Sequence, residues 1–201
     1  MRNLFDRSVD TICAMSDLRA AVGDATTTLV CASAGDGCTE LLPAVTADTT
    51  VLWVTYTRSP ETCIERYCGD GSLSVIAVGE AASGGDVEPD SVTVRTVSTP
   101  GDLTRLGITL SQTLTDRKDT VVCFDSLTAL LQYVDCETAY EFLNAVTGHL
   151  WAADATAHFH LDSTAHDTQT VDALASLFDA IAAPSDDGWS ARTRIFSNRN
   201  T

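Results

Sequence analysis

Thr26-Thr27-Thr28-Leu29-Val30-Cys31, then Ala32-Ser33-Ala34-Gly35-Asp36-Gly37-Cys38-Thr39, then Glu40-Leu41-Leu42: an apolar, β-prone run enters a glycine-bearing loop and a helix-like run leaves it. This is the strand–loop–helix setting of a phosphate-binding loop. In the working motif, G-x-x-x-x-G-K-[ST], backbone amides at a helix N-terminus cradle the phosphates and the lysine reaches the terminal oxygens. Here Ala32 stands in the first glycine position, Cys38 replaces the lysine, and Thr39 keeps the magnesium-ligating hydroxyl. A thiol brings no positive charge to a phosphoryl transition state. The loop has the frame of a nucleotide site without its catalytic cation. The plain alternative is that Gly35 and Gly37 make only a tight strand–helix turn.

A second signature lies downstream in Val121-Val122-Cys123-Phe124-Asp125-Ser126. Apolar residues ending in Asp describe a buried strand whose terminal carboxylate holds magnesium through water. The expected arrangement sets the 26–32 strand and Asp125 as neighbours at the carboxyl edge of the sheet, where ligands of α/β folds bind.

Outward from these two strands, short apolar runs alternate with helical ones, the mark of an α/β chain with a mainly parallel sheet and helices on both faces. Strands are expected at 50–56, 73–78, 92–97 and 157–161, with an edge strand at 190–197. Helices are expected at 9–23, from the loop to about residue 45, from Ser59-Pro60-Glu61 to Gly69, and at 102–114, 127–134, 137–152 and 167–181. The Ser-Pro-Glu start combines a cap, a proline at the first helical position and an early acid. The Gly-, Ser- and acid-rich segment 79–90 reads as a surface loop.

Three stretches carry a family resemblance: Val121 to Ala129 (VVCFDSLTA), the helix bearing Tyr140, Phe142, Leu143, Val146 and Leu150, and Ala157-His158-Phe159-His160-Leu161-Asp162. Together they resemble RecA/KaiC-like domains, in particular a haloarchaeal set of uncharacterised RecA-superfamily proteins with eroded P-loops. Asp172 to Ile181 is similar to the KaiC-like segment that precedes the closing strands. The resemblance spans about 25–183 and implies a RecA-like P-loop fold over 25–201 behind an N-terminal helical extension at 1–24. For active members it implies an ATP and magnesium site with hexameric or signalling roles. Such ATPases carry acidic residues after the second strand to activate water, whereas Tyr56-Thr57-Arg58-Ser59 supplies none. The vestigial nucleotide site is then Gly35, Gly37, Cys38, Thr39 and Asp125, with no catalytic residue.

Composition narrows the function classes. Net charge is −16, the acids are mostly Asp, and Lys118 is the single lysine of the chain. A folded core inside an acid-rich, lysine-poor surface suits a salt-accumulating archaeon, because at molar salt the Debye length is about 3 Å and self-repulsion is screened. Nucleic acid is not expected as a partner, because phosphate binding needs Lys/Arg clusters and Arg192, Arg194 and Arg199 are the only basic cluster in the sequence. No run approaches the ~20 apolar residues of a membrane helix, and the charged start Met1-Arg2-Asn3-Leu4-Phe5-Asp6-Arg7 is unlike a signal peptide, so a cytoplasmic location is expected. Seven cysteines without a CxxC suit free cytosolic thiols, with Cys31 and Cys123 as small hydrophobes inside strands.

His158, His160 and Asp162 recur at i, i+2 and i+4, and on a strand they would share one face. Imidazoles and a carboxylate bind zinc or iron. The bland reading, histidines satisfied beneath helices, is favoured, so no metal is expected. The function these readings imply is a catalytically inactive RecA/KaiC-like module for regulation, signalling or protein interaction, with no required cofactor. Its partners would be proteins, a second copy of the chain among them. The alternative is an ATPase with a non-standard P-loop, using ATP or another nucleotide with magnesium.

Overall fold

The computed structural model describes residues 18, 20–32, 46–83, 92–115, 119–186 and 188–193 of the chain. Among these residues eight strands form one sheet: β1 (Thr27–Cys31), β2 (Thr50–Thr55), β3 (Ser72–Val78), β4 (Val92–Val97), β5 (Thr120–Asp125), β6 (Thr156–Leu161), β7 (Ala180–Ser185) and β8 (Gly188–Thr193). Their order is β4-β3-β2-β5-β6-β1-β7-β8. Every pairing is parallel except β7 with β8. The helices are α1 (Pro60–Arg66), α2 (Leu103–Thr115), α3 (Leu127–Leu130), α4 (Cys136–Ala152) and α5 (Thr168–Ala175). The architecture is thus α/β with a mostly parallel sheet, as the alternation of runs predicts.

The caps explain where the helices begin. Ser59, Ser126, Asp135 and Asp167 each accept a hydrogen bond from a backbone amide of the first turn that follows, satisfying donors that a helix start leaves open. Pro60 takes the first position of α1, where its missing N–H costs nothing. At the N-terminal side, the helical residues 18 and 20–22 end at Gly23, whose φ of +57° suits a residue without a side chain.

Period-two alternation divides the strands into two faces. On one, Leu52, Val54, Phe124, Phe159 and Leu29 join α2, α3, α4 and α5 in the largest core cluster. A run of rings crosses it: Tyr56 to Phe124 at 5.9 Å, Phe124 to Phe159 at 5.5 Å, and Phe159 to Phe178 at 4.9 Å between centroids. On the other face, Val51, Trp53, Val75 and Cys123 pack with Cys63 of α1. Further along, Ala180 and Ala182 pack against Leu18 and Val22.

Four expectations are corrected. The helix expected to run from Asp167 through Ile181 ends at Ala175, and Ala180–Ser185 is a strand. Alanine-rich sequence favours helix, but tertiary pairing overrides it. The Thr27 amide and hydroxyl donate to the Asp179 carboxylate at 2.9 and 3.0 Å, pinning β7 beside β1. Pro184 then sits near the end of β7 opposite Trp189 of the edge strand, where proline is tolerated. Second, the helical stretch expected over 127–134 is only Leu127–Leu130, followed by a turn. Third, the start of the expected surface loop 79–90 is ordered as a 3-10 turn, Gly79–Ser83, with Ala81 buried, while 84–90 lie outside the described residues. Fourth, β1 and the Asp125 strand are not neighbours, because β6 lies between them.

Candidate functional site: the β2–β5 crevice and the histidine strand

Among the described residues the topology marks a crevice between β2 and β5. From β2 the chain moves outward through α1 to β3, while from β5 it moves the other way through α3 and α4 to β6. α1 packs on one face of the sheet and α3 and α4 on the other. Adjacent strands whose exits diverge open a gap at their carboxyl ends, the place where α/β sheets hold ligands. Asp125 ends β5 in that gap, next to Thr55 in register on β2.

The gap is filled by the chain itself. The Thr55 hydroxyl accepts from the Arg58 amide at 2.9 Å and donates to the Arg58 carbonyl at 3.1 Å, closing a tight turn. That turn sends the Arg58 guanidinium onto the Asp125 carboxylate as an ion pair. The Thr57 hydroxyl donates to the same carboxylate oxygen at 3.3 Å, and the Tyr56 amide donates to the Asp125 carbonyl at 2.8 Å. The side chains are 20% and 13% exposed for Arg58 and Asp125, so water screens the pair only in part. Burial pushes the Asp125 carboxyl above its usual value, while Arg58 and Thr57 draw it back down. Cys63 lies close by, and burial lifts its thiol to about 12, too high for a nucleophile.

Of the vestigial nucleotide residues, Asp125 is therefore placed at the carboxyl edge, while Gly35, Gly37, Cys38 and Thr39 lie outside the described residues. Arg58 is the site residue that sequence reading missed. It stood in the Tyr56-Thr57-Arg58-Ser59 stretch, which signalled only the absence of an acid.

The histidine strand lies beside this crevice. His158 is buried, and its ring meets that of His160 edge-to-face with centroids 5.2 Å apart. Burial, with His158 and Arg58 adding to it, holds the His160 imidazole well below its ordinary value, so it stays neutral. Asp162 does not join them. β6 ends at Leu161, and the Asp162 carboxylate turns back to accept from the Thr164 amide at 2.9 Å and hydroxyl at 2.7 Å. Those bonds hold its carboxyl below the usual range. The third residue brought to the histidines is Cys123, opposite His158 across the β5–β6 pair. The expectation that Cys123 is a free thiol acting as a small hydrophobe is corrected: it is disulfide-bonded. Cys31, Cys63, Cys68 and Cys136 are free.

Among the described residues no helix is long and apolar enough to cross a membrane. No curated protein matches the chain. A solved structure described as a structural study of Project ID PH0250 from Pyrococcus horikoshii OT3 is similar in fold, with a TM-score of 0.59 at 14% identity, covering 91% of this chain and 93% of that one. At such identity the likeness concerns the fold alone. Residues 21–183 match the family described as "Family of unknown function (DUF7504)", and the chain belongs to that family.

Proposed function

We propose that the chain is a RecA/KaiC-like nucleotide-binding fold retired from catalysis, serving as a regulatory or protein-interaction module in a salt-accumulating cell. The observation that carries this reading is the Arg58 guanidinium on Asp125. In a working site that carboxylate faces magnesium, and phosphoryl transfer depends on the metal's charge. Here a fixed monovalent cation and the Thr57 hydroxyl both engage one oxygen of the carboxylate, Oδ2. A magnesium ion approaching Asp125 would meet the like charge of a guanidinium held there by its own turn. Cys38 in the lysine position removes a second positive charge, and Tyr56-Thr57-Arg58-Ser59, directly after β2, supplies no acid to activate water.

The acidic surface, with net charge −16, supports a protein partner with a basic or neutral face and argues against nucleic acid. The test is phosphate release from ATP and GTP with magnesium in molar KCl. The expected result is no turnover above the protein-free rate. Turnover that is abolished in Asp125→Ala would overturn the reading in favour of an ATPase with a non-standard P-loop.

A further inference from the structure

β5 and β6 run parallel with Cys123 opposite His158, and His160 follows two residues on, so the three side chains leave the same face of the sheet. One ligand atom from each lies within 4.8 Å of the other two. Two ligands on a tetrahedral zinc-type ion stand about 3.3–3.5 Å apart, given metal–nitrogen and metal–sulfur bonds of about 2.0 and 2.3 Å. Closing on an ion would draw the three ligand atoms together by at most about 1.5 Å. An independent observation points the same way: the Nε2 of His160 is buried without a hydrogen-bond partner. A folded interior normally satisfies such an atom, and one left open asks for an explanation such as a missing ion.

We propose that Cys123, His158 and His160 form a redox-gated site for a divalent transition-metal ion of the zinc type, closed while Cys123 is disulfide-bonded and open once it is a thiol. The donor set of one sulfur and two imidazole nitrogens selects such an ion over magnesium or calcium, which require oxygen. Three protein ligands leave one tetrahedral position for water. Opening the gate takes two electrons and two protons from a dithiol. The S–S bond of Cys123 breaks, a thiol forms on each of its two sulfurs, and the reductant becomes its own disulfide. The metal then displaces the proton of the Cys123 thiol and binds the thiolate. The site shares no residue with the Arg58–Asp125 pair and stands or falls apart from the nucleotide reading.

The test uses the full chain, metal-free, in molar KCl, titrated with Co2+ under argon before and after reduction by a phosphine. After reduction one Co2+ per chain should bind, with the visible bands of tetrahedral cobalt and a near-ultraviolet thiolate-to-cobalt band. Before reduction that thiolate band should be missing. Cys123→Ser should abolish the thiolate band, and His160→Ala should weaken binding more than about tenfold. If His160→Ala fails to fold, His160→Gln should show the same loss. Cys68→Ser, at an exposed free thiol, should change nothing. The proposal is overturned if the reduced chain binds no cobalt, if the thiolate band survives Cys123→Ser, or if the histidine variant binds as tightly as the parent.

Discussion

The two faces of β5 and β6 are built from alternate residues of the same strands, yet they follow different rules. One face presents Phe124 and Phe159, wholly buried and stacked within the core of α2 to α5. The other presents Cys123, Asp125, His158 and His160, where an ion pair, a disulfide-bonded cysteine and an open imidazole nitrogen sit side by side. The ring-bearing face spends its contacts on stability. The polar face keeps groups that a purely structural sheet would replace with valine. Features that local rules disfavour concentrate where a fold has or had a function. The difference therefore assigns scaffold to one face and site to the other.

Substitutions that truncate the ring-bearing face should cost most. Phe159→Ala removes a side chain in contact with both Phe124 and Phe178 and should lose about 3–5 kcal/mol in a denaturant titration. A loss below about 1 kcal/mol would mean that this face is not the scaffold.

On the polar face the next largest effect belongs to Arg58→Met, which leaves the Asp125 carboxylate without its cation. Stability at neutral pH should fall by about 2–4 kcal/mol, discounted for the pair's partial exposure. The sign with pH follows from linkage. A folded-state carboxyl raised by burial holds its proton more tightly than in the unfolded chain. That contribution is therefore present at low pH and lost as pH rises through the folded value. Removing Arg58 raises that value further, so acidification from pH 7 towards 5 should narrow the gap between variant and parent. Unfolding titrations at both pH values check this, and a gap independent of pH would break the assignment.

His160→Leu should have the opposite sign. Replacing an imidazole whose buried Nε2 lacks a hydrogen-bond partner should leave metal-free stability unchanged or raise it by about 1 kcal/mol. A loss as large as that of Phe159→Ala would erase the contrast between the faces.

The smallest effect is expected at the exposed caps. The Thr138 amide and hydroxyl hold the Asp135 carboxyl below its usual value. Its contribution is present above the unfolded value and lost as pH falls through the folded one. Asp135→Ala should lower the melting temperature slightly near neutral pH and converge with the parent in acid.

Much of this scaffold was legible in the sequence, because buried parallel strands announce themselves as continuous apolar runs. Val121 to Asp125 and Thr50 to Thr55 needed no other signal. The helix read through Ile181 failed because Ala180 and Ala182 become a strand only through pairing with β1 and packing on Leu18 and Val22. The site was less legible. Asp125 was found from its place at the end of an apolar run, but its partner Arg58 lies 67 residues away in the chain. No local pattern links two such residues. Cys123 looked like one more apolar strand residue, and only the inter-strand register sets it opposite His158. Asp162 fitted the i+4 arithmetic, but that arithmetic holds only while the strand continues, and β6 ends one residue earlier.

The central proposal is that Arg58, paired with Asp125, stands where a working site would hold magnesium. The most direct measurement is calorimetric titration of ATP in molar KCl, with magnesium and with a chelator, into the parent chain and Arg58→Ala. The account predicts that magnesium leaves the parent's response unchanged and strengthens nucleotide binding once Arg58 is removed. Magnesium-dependent binding by the parent chain, lost in Asp125→Ala, would contradict it.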